Sequence, residues 1–134
     1  MSQFPLKIVT PDGLIFDGPA EKLIVRSTGG DVAILARHVN YVTPLGMGRA
    51  VIVTNGQRRT AACIGGLLSV VDGEVTLVPT TFEWADKIDV ERAEAAYRRA
   101  DKVLHDSTAT NTDIKLAEAK LRRALIRKSI ASYK

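Results

Sequence analysis

The sequence predicts an α+β chain: a β-sandwich or barrel of about eight to ten strands over residues 1–84, then an antiparallel two-helix hairpin over 85–134. Three observations predict it. All 10 glycines lie between Gly13 and Gly73 and all 5 prolines between Pro5 and Pro79, so Thr80–Lys134 contains no helix breaker. Turn signals recur every ten residues or so in the first segment. Apolar residues recur at helical spacing in the second. Charge divides at the same place: residues 1–84 hold 7 basic and 7 acidic side chains, whereas 85–134 hold 12 and 8, so the whole net charge of +4 sits there.

The turns of the first segment are Pro11-Asp12-Gly13, Gly18-Pro19, Gly29-Gly30-Asp31, Asn55-Gly56, Gly65-Gly66 and Asp72-Gly73. Between them Phe4, Leu6 and Ile8 alternate with polar or bland neighbours, the period of a half-buried strand. Leu23-Ile24-Val25, Val32–Leu35, Val51-Ile52-Val53, Leu67–Val71 and Val75–Val78 are further β-rich runs. Asn55-Gly56 predicts a type I′ hairpin, because both central positions need positive φ, and Asp72-Gly73 predicts a second. No alternation of strands with helices is present.

Residues 86–105 are rich in Ala, Glu, Arg and Lys, all good helix formers, with Asp89 as N-cap and Glu91 in the first turn. Val90, Ala93, Tyr97, Ala100 and Leu104 form one apolar stripe. The polar run Asp106–Thr112 breaks the pattern. A second helix follows over roughly 113–131, with Ile114, Ala117, Leu121 and Ala124 on its stripe. The alanines bring helix axes close but bury little area. A Leu→Ala core change costs about 2–5 kcal/mol, so a seam built from alanine predicts a weakly held hairpin able to open.

Composition excludes several classes. With 46% hydrophobic and 25% charged residues the chain is an ordinary globular one. Its longest uncharged run, Thr60–Val71, has 12 residues, short of the roughly 18 that a membrane span needs. Met1–Thr10 has neither a basic nor an apolar leader region, so no secretory signal is expected. The single cysteine, Cys63, lies in a strand run and reads as a buried small hydrophobe in a reducing compartment.

Motifs for chemistry are scarce. The sequence holds no P-loop, no dinucleotide fingerprint, no nucleophile elbow and no metal-type Cys/His spacing, so no catalytic residue and no metal site is expected. Gly46-Met47-Gly48 reads as a turn before Arg49, and His38 and His105 as a loop and a helix-end histidine. Arginines are the exception. Arg92 and Arg99 are seven apart, and Arg123 and Arg127 four apart, so each pair shares a helix face suited to phosphate by forked hydrogen bonds. Spacing alone favours a solvated face with pairs such as Glu94–Arg98. A net charge of +4 with few stacking aromatics argues against nucleic acid.

Specific runs carry a resemblance across essentially the whole chain. These are Ile8-Val9-Thr10-Pro11-Asp12-Gly13, Gly30-Asp31-Val32-Ala33-Ile34-Leu35 followed by His38, Gly65-Gly66-Leu67, and Ile88-Asp89-Val90-Glu91-Arg92-Ala93. In this order and spacing the chain resembles the epsilon-subunit family of bacterial F-type ATP synthases. It departs at Ala36-Arg37-His38-Val39-Asn40, where both of the family's usual prolines are missing. The resemblance implies a ten-stranded β-sandwich followed by a mobile helical hairpin in a non-catalytic rotor subunit that couples ion translocation to ATP synthesis. It also implies a gamma subunit and c-ring as partners of the sandwich, with Gly30, Asp31, Arg37 and His38 as contact candidates, and the alpha/beta catalytic hexamer as partner of an extended hairpin that inhibits ATP hydrolysis. The membrane association would be indirect, on the cytoplasmic face of the bacterial cell membrane.

The same resemblance raises the odds on the arginines. Ile88-Asp89-x-x-Arg92-Ala93 matches a motif that in some members marks an ATP site holding the hairpin folded, with Glu83 upstream and Arg99, Arg123 and Arg127 following. It implies ATP as a regulatory ligand, with no cofactor required, its phosphates on the arginines and its adenine near Ile88 and Asp89. The rival reading is a free-standing ligand-responsive binding module, which would need no gamma partner. An enzyme would need a polar cluster that no spacing here supplies.

Overall fold

The computed structural model describes residues 2–133. Ten strands come first: β1 (Phe4–Thr10), β2 (Gly13–Ala20), β3 (Lys22–Ser27), β4 (Gly30–Ile34), β5 (Tyr41–Pro44), β6 (Met47–Thr54), β7 (Gln57–Ile64), β8 (Leu67–Val71), β9 (Glu74–Val78) and β10 (Thr81–Trp84). A 3-10 turn at Ala85–Lys87 leads to α1 (Val90–Leu104) and α2 (Asn111–Ala131). The chain forms two compact units that part after Trp84.

The first unit is a sandwich of two five-stranded sheets, ordered β2-β1-β9-β8-β5 and β10-β7-β6-β3-β4. Period-2 alternation builds it. Phe4, Leu6, Ile8 and Thr10 of β1 are buried, while Pro5 and Lys7 between them are exposed. Leu6 and Ile8 meet Leu23, Val25, Ile52, Leu68, Val70 and Leu77 in one apolar cluster between the sheets. Each such side chain contributes about 1.5–3 kcal/mol by leaving water. The ladders are antiparallel except β1 against β9, where Leu6 is level with Val75 and Ile8 with Leu77.

Both predicted two-residue hairpins form. Asn55 (φ 53°) and Gly56 (φ 72°) join β6 to β7 between paired Thr54 and Gln57. Asp72 (φ 49°) and Gly73 (φ 81°) join β8 to β9 between Val71 and Glu74. Two glycine signals mislead. Gly18 and Pro19 are not a turn but lie within β2, opposite Leu6 and Pro5. The strand tolerates proline because it edges its sheet. Gly46-Met47-Gly48 is likewise no turn: Met47 and Gly48 open β6, and the Gly46 N–H donates to the Arg26 carbonyl at 2.9 Å. A Cβ on Gly48 would stand 2.7 Å from Arg26 Cβ, so that glycine serves close packing of β6 on β3. Cys63 is buried in β7, and burial pushes its thiol up to about 12, so it stays protonated and inert.

In the helical unit Asp89 caps α1, its Oδ1 accepting the Arg92 N–H at 3.0 Å. The second helix begins at Asn111, two residues before the expected start, because Thr110 and Asp113 form a reciprocal capping box. Thr110 Oγ1 accepts the Asp113 N–H, and Asp113 Oδ2 accepts the Thr110 N–H, each at 3.1 Å. The helices run antiparallel: Glu94, near the start of α1, pairs with Lys128, near the end of α2, at 2.6 Å. The expected alanine seam is present, with Ala93, Ala100, Ala117 and Ala124 all buried. Val90 was expected on the stripe but is 43% exposed, while Ile88 just before the helix is buried.

Glu94 is the polar clasp of this pair. It accepts from Lys128 on α2 and pairs with Arg98 one turn on, and Lys128 also lies 4.7 Å from the Tyr97 ring centre. The Lys128 hydrogen bond holds the Glu94 carboxyl below its ordinary value. Such a group contributes stability above the ordinary carboxylate value, and that contribution is lost as pH falls through the lowered one. We therefore expect the helical melt to weaken, as pH falls below the ordinary carboxylate range, by more in the wild type than in Glu94→Gln, read by circular dichroism. Identical acid profiles would remove Glu94 from the clasp.

Candidate functional site

The two helices enclose a groove of about 420 Å³. Its cationic wall comes from Arg99 on α1 and from Lys120, Arg123 and Arg127 on α2; its floor includes Ala96, Ala100, Val103, Leu116 and Ala117. Helix periodicity explains the set. Residues 113, 116, 117, 120, 123 and 127 recur at spacings of three and four on one face of α2, as do 96, 99, 100 and 103 on α1. The alanines matter here a second time, since their short side chains leave room above the seam.

Asp113 is the one carboxylate among the lining residues, and its Oδ2 is engaged by the Thr110 N–H of the capping box. Arg123 is oriented by its own helix, its Nε donating to the Ala119 carbonyl at 3.4 Å. An anion entering this groove meets forked donors from both helices over an apolar floor. That is the chemistry of phosphate attached to something flat or apolar.

The structure therefore brings together Arg99, Arg123 and Arg127 of the sequence-derived set. Arg92 lies in the exposed first turn of α1 and is not among the groove-lining residues, although it is seven residues from Arg99. Ile88 is 5% exposed and Asp89 is committed to capping α1, and neither lines the groove. Glu83 belongs to the sandwich unit, half-buried on β10 level with Ala62 of β7. Sequence reasoning missed Lys120. The signal was available, because Lys120, Arg123 and Arg127 follow i, i+3, i+7 spacing.

The other four candidates lie in the sandwich. Gly30 (φ 125°) begins β4, and its carbonyl accepts the Ser27 hydroxyl at 2.7 Å. Asp31 pairs with Arg26 at 3.5 Å across the β3–β4 hairpin. Arg37 adopts φ 66° in the loop after β4, which the His38 N–H closes by donating to the Leu35 carbonyl at 3.3 Å. His38 Nδ1 lies 2.8 Å from the Val39 carbonyl oxygen, and its ring lies 5.9 Å from that of Tyr41. The missing prolines have a visible substitute: Asn40 Oδ1 accepts the Asp72 N–H at 2.8 Å and ties this loop to the β8–β9 hairpin.

Two family models match the chain in tandem. Residues 3–85 match the ATP synthase delta/epsilon chain β-sandwich domain, and residues 86–132 the ATP synthase delta/epsilon chain long α-helix domain. The chain belongs to the ATP synthase delta/epsilon family. Among curated relatives, it is 40% identical to the ATP synthase epsilon chain of Ruminococcus albus, with all of both chains covered. It is also 40% identical to the ATP synthase epsilon chain of Bacillus velezensis, over 98% of each. Its fold is similar to that of a chain in the Euglena gracilis mitochondrial ATP synthase OSCP/F1/c-ring structure, with a TM-score of 0.84 at 20% identity, covering 100% of this chain and 83% of that one. Like the other delta/epsilon chains, it is a non-catalytic stalk subunit of the ATP synthase complex. No helix of the described residues is long and apolar enough to cross a membrane.

Proposed function

We propose that this delta/epsilon chain acts at the central stalk as a rotor subunit whose helical pair is an ATP-sensing brake on hydrolysis. In this reading the sandwich docks on the gamma subunit and the c-ring, with Gly30, Asp31, Arg37 and His38 on the docking side. The complex then lies against the cytoplasmic face of the bacterial cell membrane and couples ion translocation to ATP synthesis. ATP, bound by Arg99, Arg123 and Arg127, keeps the helices paired. Without it they extend toward the alpha/beta hexamer, where their basic residues meet acidic ones and hydrolysis stops.

The observation that carries this reading is the combination of an alanine seam with a cationic groove directly above it. An alanine seam holds the helices by little, so a ligand bridging both decides which arrangement is populated. A ligand at 100 times its dissociation constant contributes about 2.7 kcal/mol to the state that binds it, comparable with the deficit of one leucine-sized contact. The Euglena neighbour, solved together with F1 and a c-ring, supports the assignment to that part of the machine.

The test is ATP hydrolysis by the reconstituted synthase carrying either the full chain or one ending at Trp84. The full chain is expected to lower hydrolysis at micromolar ATP and to release it as ATP rises, and the shortened chain to do neither. Equal hydrolysis with both chains at every ATP concentration would refute the brake.

A further inference from the structure

We propose that the Asn55-Gly56 turn is a deamidation site and that the buried Glu21 carboxylate keeps it unreacted by holding the N–H of the attacking nitrogen.

What suits this pair to a type I′ turn also makes it chemically labile. The Gly56 nitrogen stands in the chain where its attack on the Asn55 side-chain amide closes a five-membered ring, and glycine brings no side chain to obstruct the approach. In that step the nitrogen gives up its proton and bonds to Asn55 Cγ. The Cγ–Nδ2 bond breaks, and the side-chain nitrogen leaves as ammonia with that proton. Water then opens the succinimide at either carbonyl, leaving aspartate or isoaspartate at position 55. Both residues are exposed, and a Cβ on Gly56 would meet nothing within 4 Å, so packing does not close the site.

The geometry of the turn does not account for the carboxylate beside it. Asn55 and Gly56 reach positive φ, and Thr54 pairs with Gln57, within the hairpin itself. Yet Glu21, between β2 and β3, is only 9% exposed, an unfavourable place for a carboxylate unless it accepts hydrogen bonds. Its Oε1 accepts the Gly56 N–H at 2.8 Å. Two further bonds tie this segment to the hairpin: the Glu21 N–H donates to the Val53 carbonyl at 2.7 Å, and the Thr54 hydroxyl donates to the Pro19 carbonyl at 2.8 Å. The carboxylate opposes the first step in two ways. Its hydrogen bond stabilises the proton on the nitrogen. Removing that proton would leave an amide anion 2.8 Å from a carboxylate oxygen, and like charges repel strongly where water is scarce. The protection has a purpose in the fold. Isoaspartate would route the main chain through a side-chain carbon and lengthen a two-residue turn that sets Thr54 level with Gln57.

Peptide mapping by mass spectrometry of the full chain, incubated at mildly alkaline pH, tests this. Glu21→Ala is expected to deamidate at Asn55 on the order of 10-fold faster than wild type, the factor that loss of one hydrogen bond to a charged acceptor gives. Glu21→Gln keeps an acceptor oxygen without the charge and should fall between them. Asn40 and Asn111, followed by Tyr41 and Thr112, are internal controls whose rates should not change. In urea, wild type and Glu21→Ala should convert at one rate. By hydrogen exchange, the Gly56 amide should lose protection in Glu21→Ala while the amides of the β6–β7 ladder keep theirs. Equal folded-state rates in wild type and Glu21→Ala would overturn the proposal, and a slower variant would make Glu21 the base that draws off the proton. Faster conversion with protection lost all along β6 and β7 would overturn it too, because Glu21 would then only hold the hairpin shut. Where Glu21→Ala does not fold, Glu21→Gln decides in its place, and a rate equal to wild type would refute the guard.

Discussion

Gly66→Ala is expected to unfold the sandwich, at a cost of about 4 kcal/mol or more. Gly66 sits at φ 97°, and a Cβ there would overlap the Val78 carbonyl oxygen and come within 2.6 Å of Pro79 Cα. Both obstacles are backbone, so no side chain can swing aside. The surrounding chain cannot shift cheaply either. The Gly66 carbonyl accepts the Leu45 N–H at 2.8 Å, the Gly65 N–H donates to Gly46 at 3.0 Å, and the Gly65 carbonyl accepts the Thr80 N–H at 3.3 Å. This knot joins the segments around β5, β7 and β10, so displacing it disturbs both sheets.

Gly73→Ala supplies the contrast. Gly73 also has positive φ, at 81°, but a Cβ there meets nothing within 4 Å. Only the left-handed backbone is penalised, by about 1–2 kcal/mol. Thermal unfolding should therefore fall by about 15 °C or more in Gly66→Ala and by about 4–8 °C in Gly73→Ala. If the two variants melted together, steric closure at Gly66 would not be what distinguishes them.

That pair of glycines also shows what a sequence exposes and what it hides. Asn55-Gly56 and Asp72-Gly73 were legible because a two-residue hairpin fixes φ locally, and local geometry is written in adjacent residues. The sandwich core was legible at Phe4, Leu6 and Ile8 because burial on one face imposes a period of two. Gly48 and Gly66 answer instead to a distant strand, Arg26 in one case and Val78–Pro79 in the other. Composition marks such glycines as turns whether or not the chain turns there, which is why Gly46-Met47-Gly48 was misread. Gly18-Pro19 failed for a related reason: edge position decides whether proline can stay in a strand, and edge position is a property of sheet order.

The groove was half legible. Its arginines on α2 were visible by spacing, and Arg99 by its place on α1. Spacing did not separate Arg92 from Arg99 or single out Lys120, because a seven-residue repeat gives a shared helix face but not how far along the helix the groove reaches. On α1 the buried pair is Ala93 and Ala100, and on α2 it is Ala117 and Ala124. Arg99 precedes Ala100 and Arg123 precedes Ala124, and both line the groove; Arg92 stands in the same relation to Ala93 but in the first turn of α1, outside the stretch that lines the groove. Thr110 and Asp113 fix where α2 begins.

The second large effect is expected at the arginines of that groove. With ATP bound as proposed, Arg99→Ala and Arg123→Ala should each raise its dissociation constant roughly 10-fold, because a hydrogen bond to a charged group contributes about 1.5–3 kcal/mol and a groove open to water keeps the lower figure. Together they should lower affinity by less than the product of the single effects if both hold the same phosphate, and by the full product, about 100-fold, if they hold different ones. The two residues come from opposite helices, so the coupling reports directly whether one phosphate bridges α1 and α2. Arg123→Lys separates charge from geometry. It keeps the cation but loses the planar fork and the Nε bond to Ala119, and should fall between wild type and Arg123→Ala. The thermal shift of the helical unit provides an independent readout, since each 10-fold loss of affinity removes about 1.4 kcal/mol of ligand-linked stability at saturating ATP. Wild-type affinity in the double variant would place the nucleotide elsewhere, and the alanine seam would then have to be bridged by some other contact.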